Sequence, residues 1–147
     1  MKATCTWTEK LQFISNNGTH SISMDAKKPI GSDTAPTPKD LLLSALCGCS
    51  GMDVVALMRK HKEPLESFHI DAEAEVRAAL PAIYSEIRLT YHFKGALNVD
   101  RVKEAVRLSE TEYCSVSAML SKVVPIRYTV VLNGFTIDEG QANFKGI

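Results

Sequence analysis

The sequence predicts an α+β domain, and three observations point to it. Short alternating segments at the N-terminus are followed by one long, almost wholly apolar helical stretch. Two later segments each have one apolar and one charged face, the mark of antiparallel strands with a wet side. The elements come in the order βββ-α-ββ-αα-β, which does not build the repeating βα units of a doubly wound sheet.

The first three strands come from simple alternation. Ala3, Cys5 and Trp7 alternate with threonines from Lys2 to Thr8, placing Cys5 and Trp7 on an expected inner face. Leu11 to Ser15 reads as a second strand, and Asn16-Asn17-Gly18 as a tight turn whose residues tolerate positive φ. Thr19 to Asp25, with Ile22 and Met24 on one face, completes a meander. Pro29, Gly31, Pro36 and Pro38 then mark a loop of about ten residues, long enough to suggest function.

A helix is expected from Pro38 to about His61, with Thr37 as N-cap, Asp40 in the first turn and Pro64 beyond its basic end. Its first two-thirds is apolar on nearly every side, so it must be covered on every side. One chain of 147 residues has little material for that, so a second subunit is expected to supply part of the cover. Strands follow at Ile70–Ala78 and Ile87–Phe93, then a short amphipathic helix from about Asp100 to Tyr113 that buries Val102, Ala105 and Val106. Cys114 interrupts it, and Ser115 or Ser117 can cap a further turn through Leu120. A last strand covers Ile126 to Leu132 and ends at Asn133-Gly134; the remaining tail has no readable element.

The bulk composition narrows function. With 45% hydrophobic and 23% charged residues, positions 1–147 read as a single globular domain. Seventeen basic and seventeen acidic residues cancel, and no basic stripe suggests a nucleic-acid partner. The apolar run Leu41–Met58 is broken by Gly48, Ser50, Gly51 and Asp53, so no membrane partner is expected. The N-terminal residues lack the apolar core of a signal peptide, which makes the cytoplasm the expected location. In that compartment cysteines 5, 47, 49 and 114 are not a disulfide framework but candidates for redox chemistry, metal binding or simple burial.

Cys49 lies about three turns into the long helix, on one face with Leu42, Ala45, Leu46, Met52, Asp53 and Ala56. Gly48 and Gly51 flank it at a cost of about 1 kcal/mol each relative to alanine, which implies a need for close approach by a helix or a substrate. Cys47 points about 200° away, so the two cannot form a disulfide within one regular helix. A metal site on Cys47 and Cys49 needs a third ligand, and His20, His61, His69 and His92 show no ligand spacing. Cys114 sits at a helix junction whose backbone N–H groups would stabilise a thiolate. On position alone, Cys49 and Cys114 can each be either reactive or core cysteines.

The string Pro36-Thr-Pro-Lys-Asp-Leu-Leu-Leu-Ser-Ala-Leu-Cys-Gly-Cys-Ser-Gly-Met-Asp-Val-Val55 resembles the core helix of the OsmC/Ohr family, the osmotically inducible and organic hydroperoxide resistance proteins. Glu112-Tyr-Cys-Ser-Val-Ser-Ala-Met-Leu120 resembles that family's second cysteine motif. The final acid of the pattern Gly-Cys-Ser-Gly-Met-Asp, here Asp53, is similar to a less characterised OsmC-like branch. The resemblance implies an OsmC-like fold: antiparallel sheets around a long central helix, as an intertwined homodimer with sites at the subunit interface. It implies that Cys49 is the peroxidatic nucleophile and Cys114 the resolving cysteine. The expected substrate is an organic hydroperoxide, with an external dithiol as reductant and no metal or organic cofactor. Peroxidase members hold the thiolate with an early arginine and a helix-start glutamate. Here the helix-start acid is Asp40, Lys39 takes the usual site, and no arginine precedes Arg59. The alternative reading is a redox-sensing or small hydrophobic ligand-binding dimer without efficient turnover.

Overall fold

The computed structural model describes residues 1–146, which fall into two compact units, residues 1–42 and the chain from Leu43 onward. In the first unit, β1 (Thr4–Trp7), β2 (Phe13–Asn16) and β3 (Ser21–Met24) form the expected antiparallel meander. Asn16 and Asn17 close its second turn by accepting the N–H groups of Gly18, Thr19 and His20, with Gly18 at a φ of 101°. The expected inner face is not found: Cys5 is exposed, and Trp7 is 61% exposed. Alternation located the strands here without a layer to bury them.

The proline-rich loop that follows is tied down by one buried carboxylate. Asp25 accepts from the backbone of Ala26, Ser32 and Thr34 and from the Thr34 hydroxyl, at 2.8–3.1 Å. Burial works to raise its pKa, but these four donors outweigh it and hold the carboxyl below its ordinary value. Gly31 is required there, because a side chain would run into the Ala26 carbonyl. This loop has a structural explanation of its own.

Helix α1 (Pro38–Lys60) matches the expected boundaries to within a residue. Only one stripe of it is buried: Leu46, Ser50, Val54, Leu57 and Met58, spaced at the period of a helix face. Its length and composition would suffice to cross a membrane, but the stripe packs into the core as a globular helix does. Along the other side, Met52 is 75% exposed and Gly48 has open space. All-round burial is therefore not achieved within the chain.

The second unit holds β4 (Ser67–Val76), β5 (Tyr84–Lys94), β6 (Ile126–Leu132) and β7 (Phe135–Gln141), ordered β4-β5-β6-β7. Phe68, Ile70, Ala72 and Ala74 face Phe93, Tyr91, Leu89 and Ile87 across the β4–β5 ladder on the core side. The sheet is mixed, a departure from the all-antiparallel expectation, because β5 and β6 run parallel. The intervening chain makes a helical crossover, and such a crossover is what parallel pairing demands. The tail pairs as β7, turned back from β6 by Asn133 and Gly134, both at positive φ.

The crossover holds α2 (Val99–Leu108), a π-helical turn (Ser109–Tyr113) and α3 (Ser115–Leu120). Asn98 caps α2 by accepting from Asp100 and Arg101, and Val102, Ala105 and Val106 are buried as expected. The helix then widens instead of stopping: Cys114 donates its N–H to the Ser109 carbonyl, five residues back. The cap of α3 is Cys114 itself, not a serine, its sulfur accepting the Ser117 N–H at 3.3 Å.

Candidate thiol site

The middle of α1 and the junction after the π-turn bring three reactive groups together. The ligand atoms of Cys49, Asp53 and Cys114 all lie within 4.8 Å of one another. Cys49 and Asp53 share a helix face through their i,i+4 spacing. Cys114 arrives because the π-turn ends in extended backbone, with a ψ of 100°, which swings its side chain back. Ser115 adds a hydroxyl 3.9 Å from the Cys49 sulfur. The two thiols differ in setting: Cys49 is half-buried, whereas Cys114 is fully buried. Burial first, and then the neighbouring Cys49 thiol, push the Cys114 pKa far above the ordinary thiol value.

Behind these groups runs a buried chain of oxygens. The Ser109 hydroxyl lies 3.3 Å from Asp53 and 2.7 Å from Ser50, and Ser50 lies 2.6 Å from the Tyr91 hydroxyl. Tyr91 reaches Glu110 at 2.6 Å, and Ser117 donates to the other Glu110 oxygen at 2.5 Å. Ser50, Ser109, Glu110 and Ser117 are all buried, and no buried side-chain nitrogen or oxygen among the described residues lacks a partner. Each hydroxyl has one proton to give. Three hydroxyls in series make four links between Asp53 and Glu110. With Ser109 donating at the Asp53 end and Tyr91 at the Glu110 end, the Ser50 proton can fill only one of the two inner links. Burial raises the Asp53 pKa, opposed by the Ser109 hydrogen bond, which suits this carboxyl to hold and release a proton. Burial, and then the Glu110 charge, raise the Tyr91 pKa well above its usual value, so Tyr91 serves as a neutral link.

Of the sequence-predicted residues, Cys49 and Cys114 are brought together. Asp40 closes a reciprocal cap, accepting the Thr37 N–H and hydroxyl at 2.9 and 2.7 Å while its own N–H reaches the Thr37 hydroxyl. Those Thr37 hydrogen bonds, side chain first, lower its pKa. Cys47 is half-buried away from the pair, and burial raises its thiol pKa. Asp53 carried a sequence signal, four residues from Cys49. Glu110, Ser50 and Tyr91 carried none, since a serine in a helix and an acid before a cysteine are unremarkable. His69 and His92, with no ligand spacing along the chain, stand opposite each other on β4 and β5.

The comparisons agree with this architecture. The family model described as OsmC-like protein matches residues 31–129. Protein YhfA of Escherichia coli (strain K12) is 34% identical over 131 residues, covering 88% of this chain and 96% of YhfA. A hypothetical protein of Aquifex aeolicus VF5 superposes with a TM-score of 0.76 at 27% identity, covering 90% of this chain and 96% of its own. An organic hydroperoxide resistance protein OsmC of Legionella pneumophila has the same fold, with a TM-score of 0.69 at 17% identity over 88% of this chain and 95% of its own. The chain belongs to the OsmC-like protein family.

Proposed function

We propose that the protein is a thiol-dependent peroxidase for organic hydroperoxides, working as a homodimer in the cytoplasm. Family membership and peroxide-resistance relatives of the same fold support a redox role. The observation that carries the finer reading is the half-exposed Cys49 beside the buried Cys114 and Asp53. In the proposed cycle the Cys49 thiolate attacks the outer peroxide oxygen, the O–O bond breaks, and the alkoxide leaves as an alcohol after taking a proton. The Cys114 sulfur then attacks the sulfenic acid; an S–S bond forms, the S–O bond breaks, and water departs. Asp53 accepts the Cys114 proton and delivers it to the leaving hydroxide, which overcomes the raised pKa of the buried thiol. An external dithiol reduces the disulfide.

The dimer is supported by Gly48, a helical glycine with nothing within 4 Å inside its own chain. With no reason within the chain for its helix cost, a close approach from a second copy supplies one. A second reading, a sensing or ligand-binding dimer, is favoured by one fact: no arginine precedes Arg59 in the sequence to hold the Cys49 thiolate. Peroxide consumption with a dithiol separates the two. The purified protein should consume cumene hydroperoxide faster than hydrogen peroxide, and Cys49→Ser should abolish turnover while Cys47→Ser does not. Absence of both turnover and a Cys49–Cys114 disulfide after one equivalent of hydroperoxide would leave the second reading standing.

A further inference from the structure

Apart from the thiols, one other cluster among the described residues gathers ligand-type atoms: His69, Asp71 and His92, on the face of the β4–β5 ladder opposite its apolar residues. The arrangement follows from strand geometry. His69 and His92 are register partners on adjacent antiparallel strands, and Asp71 lies two residues along β4, so all three side chains leave the same face. The two imidazole rings stack with centroids 4.5 Å apart and planes 9° from parallel. An Asp71 oxygen lies 3.1 Å from His92 Nε2 and 4.0 Å from His69 Nε2.

We propose that this triad is a binding site for a borderline divalent transition-metal ion of the zinc, nickel and copper(II) class. Two imidazole nitrogens and one carboxylate oxygen within 4.8 Å of one another form a three-point chelate. Ligand bonds of about 2.0–2.2 Å put neighbouring donors of a tetrahedral shell about 3.3–3.6 Å apart. The donors are near that spacing, but the rings lie 9° from parallel, so the exposed His69 ring must turn by roughly tens of degrees about its side-chain torsions for both nitrogen lone pairs to aim at one ion. Two imidazoles with one carboxylate suit this class of ion, whereas calcium and magnesium demand more oxygens. The remaining position is open to water, because His69 and Asp71 are well exposed.

The local charges fit a vacant need for a cation. Farther along the same face, Glu75 and Glu86 are matched by Arg88, and Glu86 also by Arg127. Among the described residues, the ion-pair partners of Asp71 are only the two histidines. Glu73, the next acid on β4, faces Arg88 across the ladder, and Thr90 faces Asp71. Among the described residues no arginine or lysine pairs with this carboxylate, although Arg88 and Arg127 line the same cavity and are taken by Glu75 and Glu86. A metal ion would supply its positive partner while joining the edge strand β4 to β5.

Nickel titration of the full chain tests the proposal, followed by calorimetry and by thermal unfolding, with reduced thiols in every sample. One Ni²⁺ should bind per chain and raise Tm. His69→Gln and His92→Gln should each weaken binding at least tenfold and remove the Tm rise, while circular dichroism confirms that these surface variants fold. Cys49→Ser should bind nickel like the unaltered protein. Binding unchanged in both histidine variants, binding lost in Cys49→Ser, or no stoichiometric binding at millimolar nickel would overturn it.

Discussion

Both sides of α1 are largely apolar, and they have opposite fates. On one side Leu46, Val54, Leu57 and Met58 are buried in the core, with Ser50 held between Tyr91 and Ser109. On the other, Cys47, Gly48, Gly51, Met52, Val55 and Ala56 line a shallow, mostly apolar groove of about 570 Å³ with Phe68 and Ile70, and Arg59 and His69 complete its walls. Hydrophobicity alone does not separate them. What does is side-chain bulk: the inward side keeps large residues that fill space, and the groove side is thinned by two glycines. Gly51 makes room for the chain's own β4, whose Ile70 and Phe68 lie 3.4 and 3.7 Å from where its Cβ would stand, whereas Gly48 faces open space.

The largest effect that sharpens this contrast is expected at Leu46, which is completely buried. Leu46→Ala should cost about 2–5 kcal/mol in urea unfolding, through lost transfer energy and an unfilled cavity. A loss under about 1 kcal/mol would mean that the stripe is not the core of the fold. Across the helix, Gly48→Leu should leave the folding of each chain intact, since nothing stands within 4 Å of the new Cβ. It should weaken self-association at least tenfold, about 1.4 kcal/mol, in sedimentation equilibrium. Unaltered association would remove the groove as the dimer surface and erase the contrast drawn here.

The smallest effect concerns pH and lies beside the inward side. Asp53 has its pKa raised by burial, so between its unfolded value and its higher folded value the native state binds more protons than the unfolded state. Stability from this group therefore falls as pH rises through that window and is greatest below the unfolded value. Asp53→Asn should flatten the slope and be slightly more stable than the parent at neutral pH. A parent whose stability rises with pH relative to Asp53→Asn would show that the Ser109 bond, and not burial, controls this carboxyl.

Much of the fold was legible because its signals are local. The meander, the long helix and the β6 strand follow from alternation, from Thr37 and Pro38 at the helix start, and from Asn133-Gly134. Partnership was less legible. The parallel β5–β6 pairing depends on where the crossover lands, and the weakly apolar β7 segment gains its identity only from lying beside β6. At the site, the cysteine motifs pointed to Cys49 and Cys114. The helical phase of Asp53 placed it near Cys49, but Glu110 joins only because a π-turn alters the helix just before Cys114. Asp40 also has a purely local role, because an acid three residues after a threonine forms a helix cap.

The mixed sheet also sets an order on the time axis. The β6–β7 pair is joined by a two-residue turn and can zip within microseconds of being formed. The β5–β6 ladder cannot close until residues 95–125, with both helices and the π-turn, have been brought back across it. That crossover carries Cys114, so the thiol pair is assembled by the slow, long-range contacts of the chain rather than by its fast local ones. A chain caught before that closure holds Cys49 on a local helix with Cys114 still far away, and an oxidant meeting that thiol would leave a sulfenic acid without Cys114 beside it to capture it.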